Sequence, residues 1–289
     1  MPTKEYDLVV IGSGPAGEKA AIEASKSHKR VAIVERNSVQ GGVCLHTGTI
    51  PSKTLRETVM YIAGLRQRSV YGLTGSLKQS VSIRELMHRK SQVVQQELDV
   101  IQQNMARHQI EVVQGTGMIA DPHTVVVSQG SGDSTILKGE VIIVSTGTRS
   151  YRPDNIDFDN KYIYDAEGIL DLDIIPRTMT IIGAGVIGCE YASIFSHLGV
   201  RVTIVDSRDK LLSFLDREIA DTLTYLMRKY GISLILDETP CEIKVQGEQV
   251  ATVTRSGRRV VSERLLYAAG RCGNTENLGL EGLGIETDD

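Results

Sequence analysis

The sequence lacks a block of basic residues, and its formal net charge is −4. Such a chain has little electrostatic attraction to nucleic acid or to an anionic membrane surface, so we expect neither as its main partner. No apolar run approaches the ~18 residues of a membrane-spanning helix. Strand-like sequence begins at Tyr6, so we expect no signal peptide.

Cysteine is scarce as well. The chain has four cysteines, Cys44, Cys189, Cys241 and Cys272, which are far apart and fall within predicted helices and strands. This distribution favours reduced thiols in the cytoplasm over a disulfide framework, and we expect no metal site. The length of 289 residues corresponds to about two domains. A hydrophobic content of 41% with 24% charged residues is typical of a globular chain with a sizeable core.

The first motif of the chain is a dinucleotide-binding fingerprint. An apolar strand at 6–11 leads into the glycine turn Gly12–Gly17, a helix at 18–27, and a second strand from Val31 that ends at Glu35. In this context the first glycine permits a tight turn, the second lets the backbone approach a pyrophosphate, and the third allows close helix–strand packing, while the acid binds a ribose. The residues expected at this nucleotide are Gly12, Gly14, Pro15, Ala16, Gly17, Glu35, Arg36 and Asn37.

The same pattern returns in the second half of the chain. A strand at 178–182 leads into Gly183–Gly188, a helix at 189–198, and a strand at 200–205 that ends at Asp206. In both fingerprints the acid stands 23 positions after the first glycine. Two matched fingerprints in one chain predict two dinucleotide sites in an α/β protein.

A third glycine-rich stretch runs from Gly41 to Lys53. It predicts a loop followed by a helix that starts near Pro51, with Lys53 in its first turn. The stretch resembles the flavoprotein disulfide-reductase family, whose members carry G-G-x-C-x-x-x-x-C-x-P-S-K beside FAD. Here Cys44 occupies the first cysteine position and Thr49 the second, so the dithiol pair is absent. A lone cysteine in this setting is similar to the transhydrogenase branch of that family.

Other segments extend the resemblance. Ser145–Arg149 resembles the family's A-T-G-x-x-P motif, and the residues from Leu265 to Thr275 resemble A-x-G-R-x-P-N-T, with Gly273 in place of the proline. For the flavin the resemblance implies Gly41, Gly42, Val43, Cys44, Thr49, Lys53, Gly117, Thr146 and Gly147. For the nicotinamide nucleotide it implies Gly183, Gly185, Ile187, Gly188, Asp206, Ser207, Arg208, Gly270 and Arg271.

The resemblance also implies a domain plan. It predicts two Rossmann-like domains of the three-layer ββα type, an FAD-binding domain at 1–150 and an NAD(P)-binding domain at 151–289. The family's later G-D segment and its C-terminal dimerisation domain have no counterpart here. We therefore expect a truncated chain with an incomplete FAD domain, which holds FAD weakly or not at all and by itself transfers no hydride at a useful rate. A homo-oligomer is expected only in the longer family form.

The function implied by the resemblance is FAD-dependent hydride transfer from NADPH to NAD⁺. Lys53 is expected near the reactive part of the flavin and paired with Glu190, and Cys44 is expected as a residual thiol beside the flavin. Two alternatives stay open: a lipoamide-dehydrogenase-like or diaphorase-type oxidoreductase, and a non-catalytic nucleotide-binding fragment. Thr49 argues against the dithiol reductase, since that chemistry needs both thiols.

Preference between the nicotinamide nucleotides depends on the residues after the predicted strand at 200–205. Asp206 suits the free ribose diol of NAD and repels a 2′-phosphate, whereas Arg208, with Ser207, offers that phosphate a charged partner. The sequence favours neither nucleotide, and mixed specificity is what an enzyme that uses both requires.

The remaining pattern predicts secondary structure only. The helix after Lys53 is expected to continue to about 67, and a second helix with one apolar stripe is expected from about 81 to 109. Further predicted elements are strands at 110–113, 117–120, 124–127, 135–137, 140–144, 233–236, 242–245, 250–254 and 260–262, and helices at 166–170 and 216–229.

Overall fold

The computed structural model describes residues 2–66, 82–130 and 132–288. The strands in chain order are β1 (Thr3–Ile11), β2 (Val31–Glu35), β3 (Glu111–Gln114), β4 (Thr116–Asp121), β5 (Thr124–Ser128), β6 (Ser134–Val144), β7 (Thr148–Ser150), β8 (Ile163–Asp165), β9 (Thr178–Ile182), β10 (Arg201–Val205), β11 (Ser233–Ile235), β12 (Pro240–Gln246), β13 (Gln249–Thr254), β14 (Arg259–Ser262), β15 (Arg264–Tyr267) and β16 (Arg271–Gly273). The helices are α1 (Pro15–Lys26), α2 (Gly42–His46), α3 (Thr49–Arg66), α4 (Ile83–Arg107), α5 (Val186–His197) and α6 (Arg217–Lys229), with 3₁₀ turns at Gly168–Asp171 and Glu281–Leu283.

These elements form two compact units. Unit 1 consists of Met1–Ile50, Gln92–Arg149 and Cys272–Asp289, and unit 2 of Pro51–Ser91 and Ser150–Arg271. The border at Arg149/Ser150 lies beside the boundary predicted at 150, but 51–91 and 272–289 group differently from the predicted plan. Packing explains the difference. Leu55, Val59 and Leu86 lie in the core of unit 2, and Leu278 and Leu280 lie in a core of unit 1.

Unit 1 is organised around a six-stranded sheet of order β3-β2-β1-β6-β5-β4. The first four strands of that order pair in parallel, and β4 and β5 form an antiparallel extension. Val9 and Val10 of β1 are fully buried, as expected for a parallel strand covered on both faces. Ala21 and Ile22 of α1 pack in the core that contains Val10.

Unit 2 contains a five-stranded parallel sheet of order β11-β10-β9-β15-β8. A separate antiparallel sheet contains β12, β13 and β14. Helix α5 is apolar along most of its length and buries Tyr191, Ile194 and Phe195 in the same core as β9 and β10. The four parallel strands of the unit 1 sheet and the parallel sheet of unit 2 confirm the α/β fold class.

Several element bounds differ from the sequence-based predictions. Helix α3 begins at Thr49 rather than near Pro51, so Lys53 lies in its second turn. Gly42–His46 forms a separate short helix, whose N-cap Gly41 and first residue Gly42 both have positive φ, 105° and 58°. The segments 135–137 and 140–144 belong to one strand, β6, because 136–139 and 141–144 pair with β1 in a single register.

Other differences are smaller. Helices α1 and α5 each begin three residues earlier than predicted, since the second glycine of each motif is the N-cap. The 3₁₀ turn Gly168–Asp171 replaces the predicted helix at 166–170. The predicted helix bounds at 67 and 81 lie outside the described residues. Within the described ranges, no helix combines the length and apolar character needed to cross a membrane.

Candidate nucleotide-binding sites

Unit 1 has a cleft of 410 Å³ at the carboxyl ends of β1, β2 and β6. This is the edge at which open α/β sheets bind their ligands. Most of the residues predicted for the first nucleotide and the flavin line it, namely Gly12, Gly14, Pro15, Ala16, Glu35, Arg36, Asn37, Gly42, Val43, Cys44, Gly117, Thr146 and Gly147. The glycine turn and the acid of the first fingerprint, together with the loop that carries Cys44, therefore line one cleft.

The three fingerprint glycines of unit 1 differ in their surroundings. Gly12 has a φ of 107°, a conformation that favours glycine. A Cβ on Gly17 would collide with the Gly12 carbonyl oxygen and would lie 3.0 Å from Val10 Cγ1. A Cβ on Gly14 would meet no atom within 4 Å. The second glycine therefore faces the open cleft, and the third holds α1 close to the sheet.

Glu35 is the buried acid of this cleft. Its side chain is held by three hydrogen bonds: Oε2 accepts from the Ser13 N–H at 3.0 Å and the Ser13 hydroxyl at 2.6 Å, and Oε1 accepts from the Asn37 N–H at 2.9 Å. A carboxylate has about four acceptor positions. One position on Oε1 is thus left for a ligand hydroxyl.

The structure also brings residues to this cleft that the sequence did not predict. Asn274, Glu276, Asn277 and Leu278 line it. The hydroxyl of Thr146 donates to the Asn274 carbonyl at 2.7 Å, and the Asn274 side-chain amide donates back to the Thr146 carbonyl at 2.9 Å. The resemblance had assigned this segment to the other domain, and no pattern in the sequence signals its position.

Four predicted residues do not line the unit 1 cleft. Gly17 and Gly41 allow close packing. A Cβ at Gly17 would collide with the Gly12 carbonyl oxygen, and a Cβ at Gly41 would collide with the Leu45 side chain. Thr49 lies at the start of α3 and Lys53 belongs to unit 2. His46, for which local hydrogen bonding was predicted, contacts the Gln40 carbonyl through Nε2 at 2.7 Å.

Unit 2 has its own cleft, of 510 Å³, at the carboxyl ends of β9, β10 and β15. The predicted residues that line it are Gly183, Gly185, Ile187, Asp206, Ser207, Arg208, Gly270 and Arg271. Gly188 does not line it, because its Cα packs against the Gly183 carbonyl. Unpredicted lining residues are Ile182, Val186, Val205, Thr239, Pro240, Tyr267, Ala268 and Ala269.

Asp206 and Arg208 form a closed pair in this cleft. Arg208 Nε donates to Asp206 Oδ1 at 2.8 Å and Nη2 donates to Oδ2 at 2.6 Å. The Arg208 N–H also donates to Oδ1 at 2.8 Å, and the Ala184 N–H donates to Oδ2. Burial alone would raise the pKa of the Asp206 carboxyl, but the bonds from Arg208 and Ala184 outweigh it and hold that pKa below its usual value. The pair raises the pKa of Arg208.

The expected ion pair of Lys53 and Glu190 is present within unit 2. Lys53 Nζ lies 2.6 Å from Glu190 Oε1, with side-chain exposures of 58% and 15%. Exposed pairs of this kind contribute about 0–1 kcal/mol to stability. The pair fixes the position of the Lys53 ammonium group rather than stabilising the fold.

The thiols of the chain are all unbridged. Cys44 is half-buried in the wall of the unit 1 cleft, and Cys189 is buried on α5. Burial, with a smaller contribution from Asp206, raises the pKa of the Cys189 thiol to about 11. This thiol is protonated at neutral pH and unreactive.

Two clefts at the carboxyl ends of parallel strands, each with a glycine turn and a buried acid, are typical of proteins with two dinucleotide-binding domains. The chain belongs to the pyridine nucleotide-disulphide oxidoreductase family, whose model matches residues 6–289. The family predicted from the sequence is thereby confirmed.

Named relatives lie in the predicted branch. A soluble pyridine nucleotide transhydrogenase of Mycobacterium bovis (strain BCG / Pasteur 1173P2) is 43% identical over 284 residues, which cover 98% of this chain and 61% of the relative. One of Marinomonas sp. (strain MWYL1) is 41% identical over 288 residues, covering 100% and 62%.

Solved structures have the same fold. LpdA from Mycobacterium tuberculosis aligns with a TM-score of 0.90 at 25% identity, covering 100% of this chain and 63% of that one. The Cu(II) complex of the HOCl-induced flavoprotein disulfide reductase RclA from Escherichia coli aligns with a TM-score of 0.86 at 28% identity, covering 99% and 61%. The chain thus spans 61–63% of the length of these four proteins.

Proposed function

We propose that this protein is an FAD-dependent oxidoreductase that transfers hydride from NADPH to NAD⁺. The observation that carries the proposal is the presence of two separate clefts, each built from a complete fingerprint, in one chain. One fingerprint suffices for a protein that binds a single nucleotide. A second is required when a bound flavin and a nicotinamide nucleotide are used together, and the names of the relatives support this reading.

The residues of each cleft fit a dinucleotide. The open space at Gly14 lies at the N-terminus of α1, a helix of 12 residues whose free N–H groups and partial positive charge suit a pyrophosphate. Gly185 stands in the same relation to α5, where the nearest atom to an added Cβ is Arg208 Nη2 at 4.0 Å. We assign FAD to the unit 1 cleft and the nicotinamide nucleotide to the unit 2 cleft.

FAD, when bound, supplies the reversible hydride acceptor that no side chain provides. The protein's contribution is binding and charge. Glu35 binds the adenosine ribose through its remaining acceptor position, and Glu190 positions the Lys53 ammonium group. We propose that this positive charge favours the electron-rich form of the cofactor.

The test is hydride transfer by the purified chain with FAD in excess, so that weak flavin binding does not mask activity. NADPH is mixed with thio-NAD⁺, whose reduction has its own absorbance band, and flavin saturation is followed by fluorescence. We expect FAD-dependent reduction of thio-NAD⁺, and a lower rate at the same flavin saturation in Lys53→Ala. NADPH binding without any transfer at saturating FAD would contradict the proposal and favour a nucleotide-binding protein.

We also predict that the protein does not reduce lipoamide or glutathione disulfide. Disulfide exchange needs a second thiol beside the first, and Thr49 occupies the position where the family has it. The measurement compares NADH and NADPH oxidation with each disulfide against oxidation with thio-NAD⁺. Turnover with either disulfide at a rate similar to that with thio-NAD⁺ would favour the lipoamide-dehydrogenase-like alternative.

A further inference from the structure

The carboxylate of Asp206 has no acceptor position left for a ligand while Arg208 is in place. Each oxygen accepts two hydrogen bonds, one from a backbone N–H and one from the Arg208 guanidinium. Four bonds fill the capacity of a carboxylate. A ribose diol, which binds such an acid by donating its hydroxyl protons, therefore finds Asp206 occupied.

The other fingerprint of the same chain provides a comparison. Glu35 and Asp206 are held by equivalent backbone N–H groups, those of Ser13 and Asn37 in unit 1 and those of Ala184 and Arg208 in unit 2. Asn37 stands two positions after Glu35, as Arg208 stands two positions after Asp206. Among the described residues the Asn37 side chain makes no hydrogen bond to Glu35, whereas the Arg208 side chain donates two hydrogen bonds to Asp206. Arginine at this position is thus what distinguishes the unit 2 cleft.

The Arg208 side chain keeps donors for a second anion. A guanidinium has five N–H groups, and the two bonds to Asp206 use one on Nε and one on Nη2. Both protons of Nη1 and one of Nη2 are free of Asp206. The Arg208 side chain is 43% exposed and lines the cleft, while that of Asp206 is 4% exposed. Arg208 can rotate away with little loss of packing, and Asp206 cannot.

We propose that Arg208 acts as a switch between the two nicotinamide nucleotides and that its ion pair with Asp206 defines the closed position. With the guanidinium closed on Asp206, the charge of the acid is neutralised and the free N–H groups bind a 2′-phosphate. A nucleotide with a free 2′-hydroxyl binds by displacing the guanidinium and donating to the exposed carboxylate. The inference rests on the proposed function, because it concerns how the proposed nicotinamide site admits both substrates.

This arrangement predicts affinity changes of opposite sign. In Arg208→Gln the Asp206 carboxylate loses its ion-pair partner and stays negatively charged and open to a ligand. NADH should therefore bind more tightly. NADPH should bind about 10–100-fold more weakly, the range expected for loss of a charged hydrogen bond. In Asp206→Asn the guanidinium loses its anionic partner, so its full positive charge is available to the 2′-phosphate, and the charged acceptor for the diol is lost. NADPH should then bind more tightly and NADH more weakly by a similar factor.

The experiment is a fluorescence titration of the full 289-residue chain with NADH and with NADPH. Arg217→Gln is the matched control, since it removes an arginine of 85% exposure that lies outside the cleft, and it should leave the affinity ratio unchanged. Circular dichroism establishes that each variant is folded. If Asp206→Asn does not fold, Arg208→Gln alone decides, because its side chain is half exposed.

The outcomes separate the inference from the proposed function. Opposite shifts for the two nucleotides in Arg208→Gln support the switch. Losses of both affinities in the same direction overturn it while the parent protein still binds both nucleotides, so that the proposed function stands. Absence of binding of either nucleotide to the parent protein would remove the proposed function and the switch together.

Discussion

Replacement of Gly17 by alanine is expected to lower the thermal unfolding midpoint of unit 1 by roughly 6–12 °C, the equivalent of about 3 kcal/mol. The new Cβ would collide with the Gly12 carbonyl and lie 2.6 Å from Ser145 Oγ. Neither neighbour can retreat easily, because the Gly12 N–H donates to the Val34 carbonyl at 2.8 Å and the Ser145 hydroxyl lies 3.0 Å from both the Ile11 and the Gly12 carbonyl oxygens. Alanine in a helix would otherwise be favourable, so the sign of the effect identifies the close contact as its cause.

Gly14→Ala is the matched control within the same motif. Gly14 has a φ of −65° and open space around its Cα, so its unfolding midpoint should stay within about 2 °C of the parent. Its affinity for FAD should nevertheless fall, because the methyl group occupies the space over the N-terminus of α1. Melting curves and FAD fluorescence titrations measure the two effects. Equal melting of Gly17→Ala and Gly14→Ala would show that the third glycine is not a packing residue.

Unit 2 offers a repeat of this comparison with a different ligand. Gly188 packs against the Gly183 carbonyl as Gly17 packs against Gly12, and Gly185 faces its cleft as Gly14 does. The different roles of the three glycines in each motif were predictable from the sequence because they depend on local backbone geometry. Spacing within a strand–turn–helix unit fixes which Cα meets the sheet and which faces the ligand.

Contacts between distant segments were not predictable in the same way. The pattern of apolar residues around Leu55, Val59 and Leu86 predicts helices with a buried face, but not which core covers that face. The reciprocal bonds of Thr146 and Asn274 join residues 128 positions apart. The periodicity of a sequence does not indicate such a long-range pair. The grouping of 272–289 with unit 1 is therefore seen only in the structure.

The ion pair between Asp206, at the end of β10, and Arg208 was also not predictable from the sequence. The sequence predicts both Asp206 and Arg208 as specificity residues but treats them as independent groups. Their mutual bidentate pair depends on the turn after β10, in which both the backbone and the side chain of Arg208 point to Asp206. Residue types and their spacing predict which residues belong to the site, whereas the ion pair between them is seen only in the side-chain geometry of the structure.

Glu35→Gln is expected to weaken FAD binding about 10–100-fold. Glu35 accepts three hydrogen bonds from Ser13 and Asn37, so a carboxamide of the same size must turn its NH₂ toward one of these donors. The remaining acceptor position and the negative charge for the ribose hydroxyls are lost with it. FAD fluorescence titration measures the change, and a melting curve records the accompanying loss of stability.

Asp206→Asn is the control for this last prediction, since it changes the equivalent acid in the other unit. Glu35→Gln should weaken FAD and leave NADPH affinity unchanged, while Asp206→Asn should change the NADH and NADPH affinities and leave FAD unchanged. The crossed pattern is required because each acid lines only its own cleft. If Glu35→Gln weakened NADPH as much as FAD while both proteins stayed folded, the assignment of one nucleotide to each cleft would be wrong.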